Sequence, residues 1–315
     1  MRPKLSRRTA LKTLFSTAVS TVLLQSGRKA SAHDFKGYET NRGVLVDLTK
    51  CIGCRSCEAA CNKEHGLPPP KIPFDDLSVF GQNRDGHTRR TDQSRYTVVN
   101  HFESPLWEQP LFKKIQCNHC LEPACLTACF VNAYTKTPEG AVTYNPEVCV
   151  GCRTCMVACP FSIPAFKYDS ALDAQIMKCN FCFDTRLSNN QPPACVEACP
   201  MEALTFGYRK TLLRIARKRI RENPDNYVNY IYGETEAGGT SWLYLSPVPF
   251  DTVGFDTSVP KQPILNYVKD FLGMVPMVLT IWPALFAGIY LLAHRKNQYT
   301  ANPTHEDLND ENHTG

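Results

Sequence analysis

The 315-residue sequence lacks a phosphate-cradling glycine loop, a dinucleotide fingerprint and any recognisable nucleophile–base pair. No catalytic residue is therefore assigned, and chemistry on a bound substrate is not expected of this chain. Residues 1–32 lack acids, residues 271–293 lack charge of either sign, and no cysteine stands outside four groups of four. Each absence excludes something. A basic, acid-free start reads as an address rather than as folded structure. An uncharged stretch of that length can enter lipid. With no thiol left over, the cysteines read as complete ligand sets. What remains is ordinary: 21% charged and 43% apolar residues suit a globular body of one large or two modest domains. The formal charge is +5, and the seven Lys and Arg of residues 1–32, with no acid beside them, leave −2 for the remainder. A near-neutral body gives no reason to expect a nucleic-acid partner.

The stretch "SRRTALKTLFSTAVSTVLL" at residues 6–24 sets Arg7 and Arg8 before a modest apolar run, and "ASA" follows at residues 30–32. Residues 1–32 therefore read as an export signal. Ser16, Thr17, Ser20 and Thr21 make the middle too polar, as it is too short, to span a membrane. Arg7 and Arg8, with Ser6, Leu11 and Lys12, resemble the twin-arginine signal, although Ala10 stands where that pattern usually has Phe. At the other end, the 23 residues 271–293 would reach about 34 Å as a helix, against a hydrocarbon core of about 30 Å. Pro276 and Pro283 are compatible with a transmembrane helix. Its flanking charges do not orient it: Lys261 and Lys269 precede it, Arg295 and Lys296 follow. Export does. A translocated N-terminus leaves the body at the periplasmic face of the bacterial inner membrane, with a single-pass anchor and a polar cytoplasmic tail over residues 294–315.

The sixteen cysteines decide the chemistry. Cys51, Cys54, Cys57 and Cys61 form one group, and Cys117, Cys120, Cys125 and Cys129 a second. Cys149, Cys152, Cys155 and Cys159 form a third, and Cys179, Cys182, Cys195 and Cys199 a fourth. Groups one and three share the spacing C-x2-C-x2-C-x3-C, the bacterial ferredoxin run for a [4Fe–4S] cluster. Three closely spaced thiolates wrap one face of a cubane, and the fourth, a helical turn further on, ligates a second cluster. Pro160 and Pro200 follow the last cysteine of groups three and four, as in that run; Asn62 and Phe130 stand there in groups one and two. A disulfide framework fits poorly, because four cysteines within eleven residues crowd the Cα separations that independent bridges need. Zinc favours C-x2-C pairs and suits groups two and four, but not the tight third cysteine of groups one and three. A mixture with one [3Fe–4S] cluster is a further alternative. Every group keeps four cysteines, which favours four [4Fe–4S] clusters.

The sequence is internally repeated. "GVLVDLTKCIGCRSCEAAC" at residues 43–61 resembles "GAVTYNPEVCVGCRTCMVAC" at residues 140–159. Each has an alternating apolar strand, a short turn and a cysteine run entering a helix. Strands are also expected after groups three and four, in "AFKYD" (residues 165–169) and "ALTFGYR" (residues 203–209). The expected fold class is α+β: two fused bacterial-ferredoxin-like modules plus one C-terminal transmembrane helix. The four-cluster domain would occupy residues 33–265, with an insertion at residues 62–116.

With this order and spacing the chain resembles the four-cluster electron-transfer subunits of membrane oxidoreductases. That family includes subunits paired with formate dehydrogenases, dimethyl sulfoxide reductases and polysulfide reductases, and the HybA-type subunits of hydrogenase-2. The HybA type combines a twin-arginine signal, four clusters and a C-terminal anchor. "YGETEAGGTSWLYLSPVPF" at residues 232–250 is similar to the stretch preceding the anchor in HybA-type and formate dehydrogenase subunits. The resemblance implies that Cys51, Cys54, Cys57 and Cys199 hold one cluster, and Cys61, Cys179, Cys182 and Cys195 a second. It implies a third on Cys117, Cys120, Cys125 and Cys159, and a fourth on Cys129, Cys149, Cys152 and Cys155. It also implies a catalytic oxidoreductase partner, a hydrogenase foremost, and an integral membrane quinone-reactive subunit; the alternative is a molybdenum or tungsten oxidoreductase such as formate dehydrogenase.

Three further features complete the reading. The insertion, with its Pro68-Pro69-Pro70 run, is expected to be either a docking surface or a solvent loop. His119, between two cysteines of group two, is expected to hydrogen-bond near a cluster rather than ligate it. Residues 208–223 are expected to form an amphipathic helix with Leu212, Leu213, Ile215, Ala216 and Ile220 on one side. Its seven basic residues would face solvent, anionic lipid or an acidic partner.

Overall fold

The aliphatic run before the first cysteine group forms β1 (Arg42–Asp47), buried from Gly43 to Asp47. Such an unbroken apolar strand belongs at the centre of a sheet. It pairs antiparallel with β8 (Leu204–Tyr208), with Leu45 opposite Thr205, and parallel with β9 (Trp242–Leu245), with Leu45 opposite Leu243. The strand order is β8-β1-β9. This computed structural model describes residues 39–83, 88–169 and 175–301. The export signal expected at residues 1–32, and the expected tail from residue 302 onward, lie outside the described residues.

Alternation across the sheet gives its faces different work. Leu45, Leu243 and Leu245 pack against Leu212, Leu213, Ala216 and Ile220 of helix α5 (Arg209–Glu222). Val44, Val46, Trp242 and Tyr244 face the other way, into a core shared with Leu111, Phe181 and Cys195. Helix α5 takes the amphipathic form expected of it, and much of its positive charge has a partner inside the chain. Arg219 pairs with the buried carboxylate of Asp47 at 3.0 Å. Arg217 pairs with Glu234, Lys210 with Glu39, and Lys218 with Glu222.

The insertion is more than a loop. Residues 98–115 fold into an antiparallel pair, β2 (Val98–Ser104) and β3 (Trp107–Ile115), with Val98, Val99, Asn100, Leu111 and Lys114 buried. It is tied to α1 (Ser56–Glu64), the helix that carries Cys57 and Cys61, through the buried carboxylate of Glu58. Glu58 accepts hydrogen bonds from Arg55 at 3.2 Å, from Arg89 at 2.9 and 3.0 Å, and from the Val99 N–H at 2.6 Å. Two short antiparallel pairs flank the later groups: β4 (Tyr134–Lys136) with β5 (Val142–Tyr144), and β6 (Ala165–Phe166) with β7 (Ile176–Met177).

The chain divides into two units, one taking in Asp34–Asn266 and the other the stretch from Tyr267 onward. The C-terminal helix runs over Ile264–Ala301, beyond residues 271–293 at both ends. Its Ile264–His294 portion is long and apolar enough to cross a membrane by length and composition, with a mean hydropathy of 1.9 over an 18-residue stretch within it. Between its two prolines, the Thr280 hydroxyl donates to the carbonyls of Pro276 and Met277, each at 3.0 Å.

Replacing Glu58 by Ala leaves two buried guanidiniums without their counter-charge, which costs about 3–5 kcal/mol. Thermal unfolding of the Glu58→Ala chain should show a midpoint lower by roughly 10 °C, given about 2–4 °C per kcal/mol for a domain of this size.

Candidate functional site

The cysteine groups owe their shape to residues in left-handed backbone. In group one Gly53 has φ 70° and Arg55 φ 59°, and in group three Gly151 has φ 70° and Arg153 φ 61°. These paired reversals turn successive thiols to one side before a helix starts two residues after the second cysteine, at Ser56 in α1 and at Thr154 in α3 (Thr154–Ala158). Only glycine fits at position 53, since a Cβ there would lie 2.3 Å from the Phe112 ring. The structure also shows a second repeat that the sequence reading overlooked. "PACLTAC" at residues 123–129 and "PACVEAC" at residues 193–199 form matching short helices, α2 (Ala124–Thr127) and α4 (Ala194–Glu197). His119 and Phe181 hold equivalent places in groups two and four, both left-handed, and their rings stack at 4.8 Å.

Mutual electrostatic influence tells which thiols come together. Burial pushes Cys51 up to about 11, and Cys199 and Cys54 add to the rise. Burial raises Cys57 further, with Cys195 and Cys51 contributing. Cys51, Cys54, Cys57 and Cys199 line one apolar cavity with Val46, Val99 and Leu204. Cys61, raised chiefly by burial, lies under the influence of Cys179, Cys195 and Cys182. Cys120, also raised by burial, senses Cys159, Cys117 and Cys125. Cys155, likewise raised by burial, senses Cys149, Cys152 and Cys129. Thiols from different sequence groups therefore lie near one another, as sharing of ligands between groups requires. The influence extends further across groups: Cys57 senses Cys195, Cys179 senses Cys117, and Cys125 senses Cys155.

The donor chemistry fits iron–sulfur clusters. All sixteen cysteines are free thiols, which removes the disulfide alternative. Buried thiols with raised pKa need a cationic group before they become thiolates, and a cluster's irons supply that charge. Hydrogen-bond donors already point at several sulfurs. The Ala133 N–H reaches Cys129 Sγ at 3.2 Å, Gly151 N–H reaches Cys149 at 3.4 Å, and Phe181 N–H reaches Cys179 at 3.4 Å. The Thr154 hydroxyl donates to Cys152 Sγ at 3.3 Å. Such contacts tune a cluster without ligating it.

His119 is buried, and its Nδ1 accepts from the Val142 N–H at 2.9 Å, which places the ring proton on Nε2. Burial, with Lys178, Lys136 and Lys114 nearby, holds its pKa well below the usual range and keeps it neutral. The nitrogen that approaches a cysteine belongs instead to His65, whose Nε2 is 3.6 Å from Cys182 Sγ. Sequence reasoning also missed Lys114 and Lys178, both buried among the thiols. No periodic signal marked Lys114, because Lys113 and Lys114 stand side by side where the apolar alternation of a strand breaks.

This is the interior of a ferredoxin-type electron-transfer protein, and comparison with known proteins agrees. Residues 109–209 match the 4Fe-4S dicluster domain family. A protein of Nitratidesulfovibrio vulgaris is 50% identical over 299 residues, covering 94% of this chain and 79% of its own. The formate dehydrogenase-O iron-sulfur subunit of Escherichia coli K12 is 31% identical over 258 residues, covering 80% of this chain and 83% of its own. The hydrogenase-2 operon protein HybA of Escherichia coli O157:H7 is 29% identical over 286 residues, covering 79% and 83%. The chain belongs to the family of iron–sulfur electron-transfer subunits that includes the formate dehydrogenase iron-sulfur subunits and HybA.

The turn at Gly53 is a direct test of the site. Gly53→Ala should lose iron, because φ 70° and the Phe112 ring both oppose a methyl group. Gly66→Ala, also left-handed at φ 56° but with open space around it, should keep its iron. Iron analysis of the two purified variants against wild type decides the matter.

Proposed function

We propose that this chain is the membrane-anchored, periplasmic electron-transfer subunit of a respiratory [NiFe] hydrogenase, relaying electrons through four [4Fe–4S] clusters. The observation that carries the reading is the nearness of thiols from different groups: Cys51, Cys54, Cys57 and Cys199 line one cavity, and Cys57 senses Cys195, Cys179 senses Cys117 and Cys125 senses Cys155, which would join four thiol sets into one line. Cys51, Cys54, Cys57 and Cys199 would hold the first cluster, and Cys61, Cys179, Cys182 and Cys195 the second. Cys117, Cys120, Cys125 and Cys159 would hold the third, and Cys129, Cys149, Cys152 and Cys155 the fourth. Bound clusters of this kind supply one-electron exchange at potentials between roughly −700 and +450 mV. The chain's own residues bury the second set, Cys61, Cys179, Cys182 and Cys195, and half-bury the third. They leave both ends accessible. Cys152 is exposed beside Val150 and Val157, and Ile52 and Met201 are exposed beside Cys51 and Cys199.

The similarity to HybA supports a hydrogenase as catalytic partner. The long apolar helix supports the anchor, with an integral membrane quinone-reactive subunit beyond it. Arg7 and Arg8 support twin-arginine export, a route that carries folded, cluster-loaded cargo. The formate dehydrogenase relatives, at 30–31% identity, favour the second reading, a molybdenum or tungsten oxidoreductase as partner.

Iron and acid-labile sulfide should each come to about sixteen per chain, four for each cubane. The complex purified through this chain should contain nickel and take up hydrogen; molybdenum or tungsten with formate oxidation would move the assignment to the second reading. Arg7→Lys with Arg8→Lys should leave a cluster-loaded precursor in the cytoplasm, and normal periplasmic accumulation of the double variant would contradict the export route.

A further inference from the structure

Lys114 is a cation in the wrong place for a structural lysine. Strand β3 alternates, so Lys113 and Lys114 leave it on opposite faces. Lys113 takes the outer face, where its ammonium lies 4.0 Å over the Phe255 ring and donates to the Gly254 carbonyl. Lys114 takes the inner face and is 3% exposed. Its Nζ donates to Thr97 Oγ1 at 2.7 Å and Gln116 Oε1 at 3.0 Å, and it lies 4.6 Å over the Trp242 ring. These partners are neutral, and among the described residues no carboxylate forms an ion pair with it. A buried charge left unpaired costs several kcal/mol, so a counter-charge is required.

The counter-charge on hand is sulfur. Lys114 lines the cavity of Cys51, Cys54, Cys57 and Cys199. The groups that favour its charged form are Cys195, Cys57, Cys179 and Cys61, against the opposing effect of burial. Under the proposed assignment Cys57 belongs to the first thiol set and the other three to the second, and Trp242, over whose ring the ammonium lies, shares one core cluster with Cys195, so the ammonium faces both sets. Four thiolates around a [4Fe–4S] group leave a site net anionic, and an added electron makes it more so. A fixed cation beside it therefore favours the reduced state.

We propose that the Lys114 ammonium is the shared counter-charge of the first two clusters and raises the reduction potential of both. The inference rests on the cluster assignment proposed above and adds a residue that does not ligate iron. Lys114 would hold the front of the line more oxidising than its thiolate ligands alone would set it. No proton need move for this: the charge acts through space, and Thr97 and Gln116 fix its position.

The test is a potentiometric titration of the iron-loaded full chain, read by low-temperature EPR. At a fixed ambient potential, Lys114→Met should lower the reduced-to-oxidised ratio of two of the clusters at least tenfold, a shift of 59 mV for a one-electron couple. The other two should hold their midpoints. Lys114→Arg, which keeps the charge, should stay near wild type. Full iron and sulfide in Lys114→Met with unchanged midpoints overturns the proposal, as does a shift in Lys114→Arg as large as in Lys114→Met. Should Lys114→Met lose iron, Lys114→Gln and Lys114→Arg decide. Retention in Arg with loss or a downward shift in Gln supports the counter-charge. Loss in all three variants makes the residue a packing element and overturns it. Wild-type iron and sulfide far from about sixteen per chain would instead fail the cluster assignment itself, whatever the variants do.

Discussion

The structure depends on burying thiols that do not belong in an apolar interior as anions. Burial pushes Cys57, Cys61, Cys120 and Cys179 far above their ordinary range, and no disulfide relieves them. Thiolates become affordable there only with metal charge among them. The rest of the fold is arranged to bring them together. The left-handed turns at Gly53, Arg55, Gly151 and Arg153 aim sulfurs inward, and one face of the β8-β1-β9 sheet is turned toward the same interior. The other face carries what conventional apolar core there is, sealed by α5.

Under the proposed assignment each thiol set draws on two sequence groups, which would weave the chain. Cys51 and Cys199 meet in one cavity although about 150 residues separate them in sequence. Ligation across such a span would act as a clip closing a long loop, the kind that restricts an unfolded chain most. It also accounts for the short helices. Elements such as α2 and α4, four residues each, could not persist alone and are held by the cysteines they carry. Electron transfer would then follow from the same weaving, because cysteines assigned to adjacent sets, such as Cys57 and Cys61, lie on one helix.

Much of this was legible in the sequence. The cysteine spacing led to ferredoxin-type chemistry, and the 3.6-residue pattern of Leu212, Leu213, Ala216 and Ile220 marked α5 before its packing was known. Strands β1 and β8 fell where the apolar stretches beside groups one and four put them. Other parts had no local signal. The parallel pairing of β9 with β1 joins segments about two hundred residues apart, and nothing in "SWLYL" announces its partner. The β2–β3 hairpin was hidden in an insertion because Lys113, Lys114 and Asn100 break the apolar alternation that marks a strand. Lys114 is polar because it faces sulfur, which no periodicity reveals. The second repeat was masked by unequal loops, four residues between the middle cysteines of group two and twelve in group four.

The central claim is that sixteen cysteines hold four clusters close enough to act as one line. Low-temperature EPR of the fully reduced, iron-loaded chain tests it most directly. Neighbouring reduced clusters interact magnetically, so the account predicts a broadened, spin-coupled spectrum that sharpens toward simple signals when only the most easily reduced cluster holds an electron. Isolated, uncoupled signals at full reduction, or no cluster signal from a chain rich in iron, would contradict it.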